Sequence, residues 1–222
     1  MTLQEIYECF DRVGCVVFST RDGDGIESRI AHFFAWDDEG LYLRTMCTKP
    51  FYRQLKQYGR LSVCGMYPVT QVTHDADNLP SFQPGYTIRV AGEVRELSMT
   101  EVERKAEHDR NFNVAVHDIK KYPATRIFVL HKAQGELYDY DFACERRDHK
   151  LERRRFAYGG ATFTQPGLTV GDACVGCGSC LSVCTFNAIE EGTPYRINGT
   201  RCDECGNCRN ICPVDAVRHK GA

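Results

Sequence analysis

Eight of the thirteen cysteines fall in two runs near the C-terminus, each spaced C-x2-C-x2-C-x3-C. The first run is Cys174, Cys177, Cys180 and Cys184; the second is Cys202, Cys205, Cys208 and Cys212, superimposed on the first by a slide of 28 residues. Thiolates at this spacing predict iron–sulfur clusters, because cysteines two residues apart let one tight loop wrap three corners of a cubane. Gly176, Gly178 and Gly206 stand where the backbone must approach the inorganic core or take a positive φ. A disulfide scaffold would need an oxidising compartment, and Met1 to Phe10 lacks the basic start and apolar run of a secretion signal. Structural zinc uses cysteine pairs separated by a spacer, which these four-cysteine runs do not provide. The expectation is an electron-transfer protein in a cytoplasmic and, since exposed clusters react with oxygen, anaerobic setting.

The repeat continues past the cysteines, with Asn187-Ala188-Ile189 matching Asp215-Ala216-Val217. From about Gly171 to Val217 the chain resembles the bacterial two-cluster ferredoxin. That resemblance implies a small α+β domain with two [4Fe–4S] clusters, the fourth cysteine of each run ligating the other cluster. Cys174, Cys177, Cys180 and Cys212 would hold one, and Cys202, Cys205, Cys208 and Cys184 the second. Thr185 stands where the second run has Pro213, a departure that bears on loop stiffness rather than ligation.

The cysteine-rich segment is about a quarter of the 222 residues, leaving room for one larger domain. No stretch approaches the roughly 20 apolar residues that span a bilayer, so a soluble protein is expected. A net charge of -2 offers no general attraction to nucleic acid or to an anionic membrane. The exception is Glu145 to Arg155, where Arg146, Arg147, Lys150, Arg153, Arg154 and Arg155 outnumber three acids. Such a run reads as solvated surface or as a docking patch for an acidic redox partner or a phosphate.

Ahead of the cysteines, turn chemistry and alternation predict a mainly β domain. Thr2-Leu3-Gln4-Glu5 is a capping box opening a helix with Ile6, Tyr7 and Phe10 on one face. Strands follow at Cys15 to Ser19, Ile26 to Trp36 and Leu41 to Met46, joined by Asp22-Gly23-Asp24-Gly25 and by Asp37 to Gly40. Lys49-Pro50 begins a helix to about Gln57, and Leu61 to Tyr67 is a fourth strand. Pro68 to Gly85, with three prolines, reads as a long loop and a candidate lid. Beyond it come a strand at Tyr86 to Leu97, a helix capped by Thr100-Glu101-Val102-Glu103 and ending near Arg110, and a short helix at Val114 to Lys120. Strands at Arg126 to His131 and Glu136 to Phe142 complete the set. Antiparallel strands in this number favour closure into a barrel. Tyr158 to Gly167 is the linker, so the domains are 1–165 and 166–222.

Ser28-Arg29-Ile30-Ala31-His32-Phe33-Phe34, Leu41-Tyr42-Leu43-Arg44-Thr45, Thr48-Lys49-Pro50-Phe51 and Leu55, continued by Gly85 to Gly92, resemble the pyridoxamine 5'-phosphate oxidase-like family of FMN proteins. The resemblance covers about Gln4 to Phe142 and implies an antiparallel split β-barrel with peripheral helices. It implies a homodimer with FMN at the subunit interface, Arg29 and Ile30 beside the isoalloxazine ring, and Thr45, Thr48 and Lys49 on the phosphate. Thr48-Lys49 stands where the family oxidase has an arginine–lysine pair. Phosphate needs charge-assisted donors, and the helix start at Pro50 adds unpaired N–H groups. His32 lies on the same strand and reads as a packing residue or a substrate contact. The alternating Tyr138, Tyr140 and Phe142 read as core or interface. Cys9, Cys15, Cys47, Cys64 and Cys144 read as small buried hydrophobes.

Together the two parts predict an oxidoreductase passing electrons between two [4Fe–4S] clusters and FMN. It would reduce or oxidise a small organic substrate and be served by a low-potential donor or redox partner protein. The alternative is a non-catalytic carrier or adaptor, and haem or a deazaflavin would also suit the barrel.

Overall fold

Caps and turns set the element boundaries in the computed structural model, which describes residues 1–68, 73–78, 80–81, 85–140, 152–163 and 167–220, without the side chains of 80, 81, 139, 140 and 152. The order is α1 (Leu3–Val13), β1 (Val16–Asp22), β2 (Gly25–Ala31), β3 (Ala35–Asp37), β4 (Gly40–Met46), α2 (Pro50–Tyr58), β5 (Arg60–Tyr67), β6 (Thr73–His74), β7 (Pro80–Ser81), β8 (Gly85–Glu96), α3 (Met99–Ala106) and α4 (Arg110–Lys121). There follow β9 (Thr125–Tyr140), β10 (Glu152–Tyr158), β11 (Leu168–Val170), α5 (Ser179–Ser182), β12 (Ile189–Glu190), β13 (Arg196–Ile197), α6 (Asn207–Asn210) and β14 (Val217–His219). Two compact units result: Met1–Val69, Thr87–Glu136 and Arg155–Phe163 form the first, and Thr70–Tyr86, Leu137–Arg154 and Thr164–Ala222 the second. Among the described residues no helix is long and apolar enough to cross a membrane.

The first unit is an antiparallel split barrel with peripheral helices. Its sheet runs β2-β1-β5-β8-β9-β4-β3, with β10 added on β9. Laid flat, seven strands would separate β2 from β3 by roughly 29 Å. Yet Ala31 and Ala35 are four residues apart, at most about 14 Å of extended chain, so the sheet must curl until its ends meet. Residues 32–34 make that corner, and this is why Ile26 to Trp36 is two strands rather than one. Phe33 fills the corner, its ring centroid 5.3 Å from Phe10 and 5.0 Å from Phe18.

β1 alternates, sending Val16, Phe18 and Thr20 inward. β4 is buried on both faces. Tyr42 meets Phe112 of α4 edge-on at 4.8 Å, in a core completed by Val102, Ala115, Ile127 and Val129, while Leu41 and Leu43 point the other way. Phe112→Ala would cost about 3–5 kcal/mol on these contacts. β8 and β9 approach so closely that a Cβ on Gly92 would fall 2.2 Å from the Lys132 carbonyl oxygen, and one on Gly135 2.2 Å from that of Arg89.

Three further boundaries differ from the sequence reading. The box that starts α3 is Ser98 with Glu101, two residues earlier than Thr100-Glu101-Val102-Glu103, because Ser98 offers the same serine-to-glutamate spacing. α4 begins at an Asp109 cap, well before Val114, and the strands read at Arg126 to His131 and Glu136 to Phe142 are one strand, β9, of 16 residues. β10 was not expected, since Arg153, Arg154 and Arg155 obscure its alternation.

The second unit repeats itself as the sequence does. α5 and α6 each start after a glycine in left-handed backbone, Gly178 at φ 75° and Gly206 at φ 83°. In both halves the fourth cysteine's sulfur accepts from the backbone N–H four residues on: Ala188 to Cys184 at 3.3 Å and Ala216 to Cys212 at 3.2 Å. β11 pairs with β14 and β12 with β13. Leu168, Ile189 and Val217 bury the unit's small core together with Cys180 and Cys208.

Candidate functional site

In the first unit, the ends of β2 and β4 and the C-terminal part of α4 border a cleft of about 380 Å³. Ile30, Ala31 and His32 line one side, Arg44, Thr45, Met46 and Lys49 a second, and Asp118, Tyr122 and Thr125 the third. The register sets this: Met46 lies opposite Thr125 on β9, and the Cys47 N–H donates to the Ala124 carbonyl at 2.8 Å, holding the end of β4 against the end of α4. Arg44 is paired with Asp118. Lys49 is the exposed cap residue of α2, with no ion-pair partner among the described residues, and Pro50 follows it. No side chain caps α2, leaving its N-terminal end to favour an anion. Thr45, 7% exposed, gives the cleft a sheltered hydroxyl. A volume of this order is that of a small-molecule site, and the donors are of the kind a phosphate needs.

Of the five residues predicted to hold a flavin, Ile30, Thr45 and Lys49 meet at this cleft; Arg29 and Thr48 are not among its lining. Arg29 points to the opposite face of β2 from Ile30, as successive strand residues must. Its Nη1 donates to Thr20 Oγ1 at 2.7 Å and its Nη2 to Gln54 Oε1 at 2.8 Å, while the guanidinium carbon lies 4.3 Å from the centroid of the Phe51 ring. Thr20 Oγ1 also donates to Gln54 Oε1 at 2.7 Å, closing a triangle beneath the strand. Partial burial lowers the pKa of Arg29 against the raising effects of Glu27 and Asp22. Thr48 is exposed on the turn between β4 and α2.

Arg44, Asp118, Tyr122 and Thr125 were not singled out in the sequence. The signal available was Tyr122-Pro123, which marks where α4 must stop and β9 begin beside β4. Cys15 and Cys64 are exposed and Cys9 and Cys47 half-buried, a correction to their reading as buried hydrophobes. Cys64 sits on the outward face of β5, opposite Val17 of β1, and Cys15 lies just before β1. Cys144, Arg146, Arg147, Lys150 and Phe142 lie outside the described residues, as does part of the proposed lid, of which β6 and β7 form a small hairpin. The basic run is not uniformly solvated surface. The Arg155 side chain is 8% exposed and 3.6 Å from Glu136, which Arg89 also meets at 2.8 Å.

The second unit has two cavities, each bordered by four cysteines. Cys174, Cys177, Cys180 and Cys212 share one with Val170, Val175, Tyr195 and Val214. Cys184, Cys202, Cys205 and Cys208 share the other with Leu168, Phe186, Ile197 and Asp203. Each cavity thus takes three cysteines from one run and the fourth from the other. Four thiols around one small hollow fit an iron–sulfur cluster, which supplies its own positive charge. Burial pushes the Cys208 thiol up to about 11, so metal binding must displace its proton. The Cys177 Sγ donates to Ser179 Oγ at 3.4 Å, and hydrogen bonding with the side chain and backbone of Ser179 holds that thiol below its ordinary pKa.

Residues 170–190 and 195–218 match the 4Fe-4S binding domain family. Comparison with curated proteins found no match. Among solved structures the chain is similar to a NimC/NimA family protein from Clostridium acetobutylicum, at 19% identity and a TM-score of 0.49 over 70% of this chain and 91% of that one. It is also similar to PhzG from Burkholderia lata 383, solved with tetrahydrophenazine-1-carboxylic acid, at 18% identity and a TM-score of 0.45 over 69% and 80%. A third is HutZ, the haem storage protein of Vibrio cholerae, at 15% identity and a TM-score of 0.41 over 59% and 90%.

Proposed function

We propose that the chain is an iron–sulfur flavoprotein oxidoreductase, with a [4Fe–4S] cluster in each cysteine cavity, FMN in the cleft beside Lys49, and a small organic molecule as the substrate. The observation that carries this reading is a 4Fe-4S binding domain in one chain with a barrel whose cleft offers, at a helix start, a cation with no ion-pair partner among the described residues, and a sheltered hydroxyl. Clusters pass electrons singly, and a flavin, when bound, takes electrons one at a time and delivers them in pairs. Lys49 and Thr45 are assigned to the phosphate. Ile30 and Met46 shield the ring from water, Arg44 and Asp118 fix one wall, and Arg29 braces β2 from behind.

A homodimer fits the surface of β2, which ends the strand path and exposes Ile26 (77%) and Ile30 (66%). A low-potential donor or a redox partner protein would exchange electrons with the clusters. One observation favours a second occupant: His32 lines the cleft and offers an imidazole to a haem iron.

The absorption spectrum of anaerobically purified protein, with cofactor extraction, tests these readings. Flavin bands near stoichiometric with protein, above a broad iron–sulfur absorption bleached by dithionite, are expected. A Soret band would favour haem, and failure to bind FMN after anaerobic reconstitution would sink the flavin reading. Reoxidation of the reduced protein only by other redox proteins, never by small molecules, would make it a carrier. Lys49→Ala should weaken FMN binding by roughly 10- to 150-fold, the value of one charge-assisted hydrogen bond to phosphate of about 1.5–3 kcal/mol. Parental affinity in this variant would refute the phosphate assignment.

A further inference from the structure

The two cysteine runs share their spacing and the glycines Gly178 and Gly206, but between their first and second cysteines only the second run holds carboxylates. The first loop reads Cys174-Val175-Gly176-Cys177, the second Cys202-Asp203-Glu204-Cys205. Gly176 has φ 70°, and Glu204, its counterpart 28 residues on, has φ 60°. A left-handed backbone is natural for glycine and strained for a residue with a side chain. A glutamate here therefore needs a compensating contact.

Arg153 of β10 makes that contact. Its Nη1 is 3.4 Å from Glu204 Oε1 and its Nη2 3.3 Å from Asp203 Oδ1. The Arg153 side chain is 13% exposed, and the guanidinium carbon lies 4.9 Å from the centroid of the Tyr138 ring. Tyr138 in turn donates its hydroxyl to Asp203 Oδ1 at 3.2 Å. The Arg153 N–H donates to the Thr200 carbonyl at 3.0 Å, so backbone as well as side chain holds β10 to the second loop. Asp203 lines the cavity of Cys184, Cys202, Cys205 and Cys208, and the Glu204 N–H donates to Cys202 Sγ at 3.3 Å. Val175, Gly178, Tyr195 and Val214, beside the other cysteine cavity, carry no formal charge.

We propose that Arg153 is a tuning residue that, through Asp203 and Glu204, sets the reduction potential of the cluster held by Cys184, Cys202, Cys205 and Cys208 and makes it differ from its neighbour. The inference rests on the two-cluster reading above. Adding an electron to a cluster adds negative charge, which carboxylates oppose and a guanidinium favours, all the more where water is partly excluded. Arg153 offsets the carboxylates and fixes the loop whose Glu204 N–H meets a ligand sulfur. Arg153 acts on the cluster through these groups; it ligates nothing.

The test is a redox titration of the anaerobic full chain, followed by electron paramagnetic resonance, after iron and sulfide have been counted. Arg153→Met should move one of the two reduction steps to lower potential and leave the other in place. Arg153→Lys, which keeps the charge, should stay near the parent. The double variant Asp203→Val with Glu204→Gly gives the second loop the residues that the first carries between its first two cysteines, where the same left-handed backbone already holds glycine. With Arg153 still present it should move the same step upward. The proposal is overturned if the double variant leaves both steps unmoved, shifts both equally or moves the step downward. Should Arg153→Met shed the cluster, the double variant decides alone. Iron and sulfide for fewer than two four-iron clusters in the parent would instead overturn the two-cluster reading.

Discussion

Arg29→Met asks what the arginine behind β2 is for. In the structure its guanidinium is committed to Thr20 and Gln54 at 2.7 and 2.8 Å and lies over Phe51. A hydrogen bond from a charged donor contributes about 1.5–3 kcal/mol when well buried, but Arg29 is only half-buried, so about 0.5–1 kcal/mol for each of the two is appropriate. The ring contact adds about 0.5 kcal/mol at a partly exposed site. The sum is about 2 kcal/mol, and the methionine stem retains part of the packing on Phe51. Thermal unfolding of the FMN-free protein, followed by far-ultraviolet circular dichroism, should therefore shift down by roughly 4–8 °C in the transition that belongs to the barrel. FMN affinity should change far less than in Lys49→Ala. A double-mutant cycle with Gln54→Leu should show coupling of about 1 kcal/mol, because both substitutions remove the same bond. Unchanged unfolding together with loss of FMN would refute the reasoning and return Arg29 to the cofactor.

Cys184→Ser and Cys212→Ser should each damage the cluster held mainly by the other run, read as iron loss and as the disappearance of one of two reduction steps. Damage confined to the cluster of the substituted run would rule out crossed ligation. Gly92→Ala should destabilise the barrel by several kcal/mol or prevent soluble expression, since its Cβ would lie 2.2 Å from the Lys132 carbonyl oxygen and 2.5 Å from Ala133 Cβ; a stable, soluble variant would show that β8 and β9 have room to part. Hydrogen bonds from Ser98 lower the Glu101 pKa from its ordinary 4.5 to about 2, with Arg95 adding to the effect. A lowered carboxylate stabilises the fold above about pH 4.5 and loses that contribution as pH falls through about 2. Glu101→Ala should thus cost about 1 kcal/mol at pH 7, with the gap from the parent closing toward pH 2 in denaturant titrations.

What the sequence made legible follows from how local each signal is. The cysteine runs are legible because cluster geometry dictates spacing within one short loop, β1 and α2 because alternation and a Lys-Pro start act over a few residues, and β4 because a short apolar run follows the turn at Asp37 to Gly40. The corner at residues 32–34 is invisible locally: His32-Phe33-Phe34 continues a strand-like pattern, and only the need to close the sheet breaks it. β10 was hidden because its arginines look like surface until Glu136, Asp203 and Glu204 arrive from elsewhere in the chain. The cleft was half legible. Thr45 and Lys49 follow from the β4–α2 turn, whereas Asp118 reaches Arg44 across 74 residues. The cap of α3 read at Thr100 falls at Ser98 in the structure, where Glu101 answers it in the box.

β9 carries one further consequence. Its 16 residues begin in the first unit and end in the second, β10 returns the same way, and β8 starts in the second unit and continues in the first, so the boundary between units crosses three strands rather than falling in one linker. Had a ferredoxin gene simply been joined to a barrel gene, every part of the second unit would lie after the junction. Here Tyr138 and Arg153 are encoded before it, and a chain cut at the apparent linker would leave Asp203 and Glu204 without their arginine. A second module excised at that linker would therefore lack Tyr138, Arg153 and the hairpin of β6 and β7.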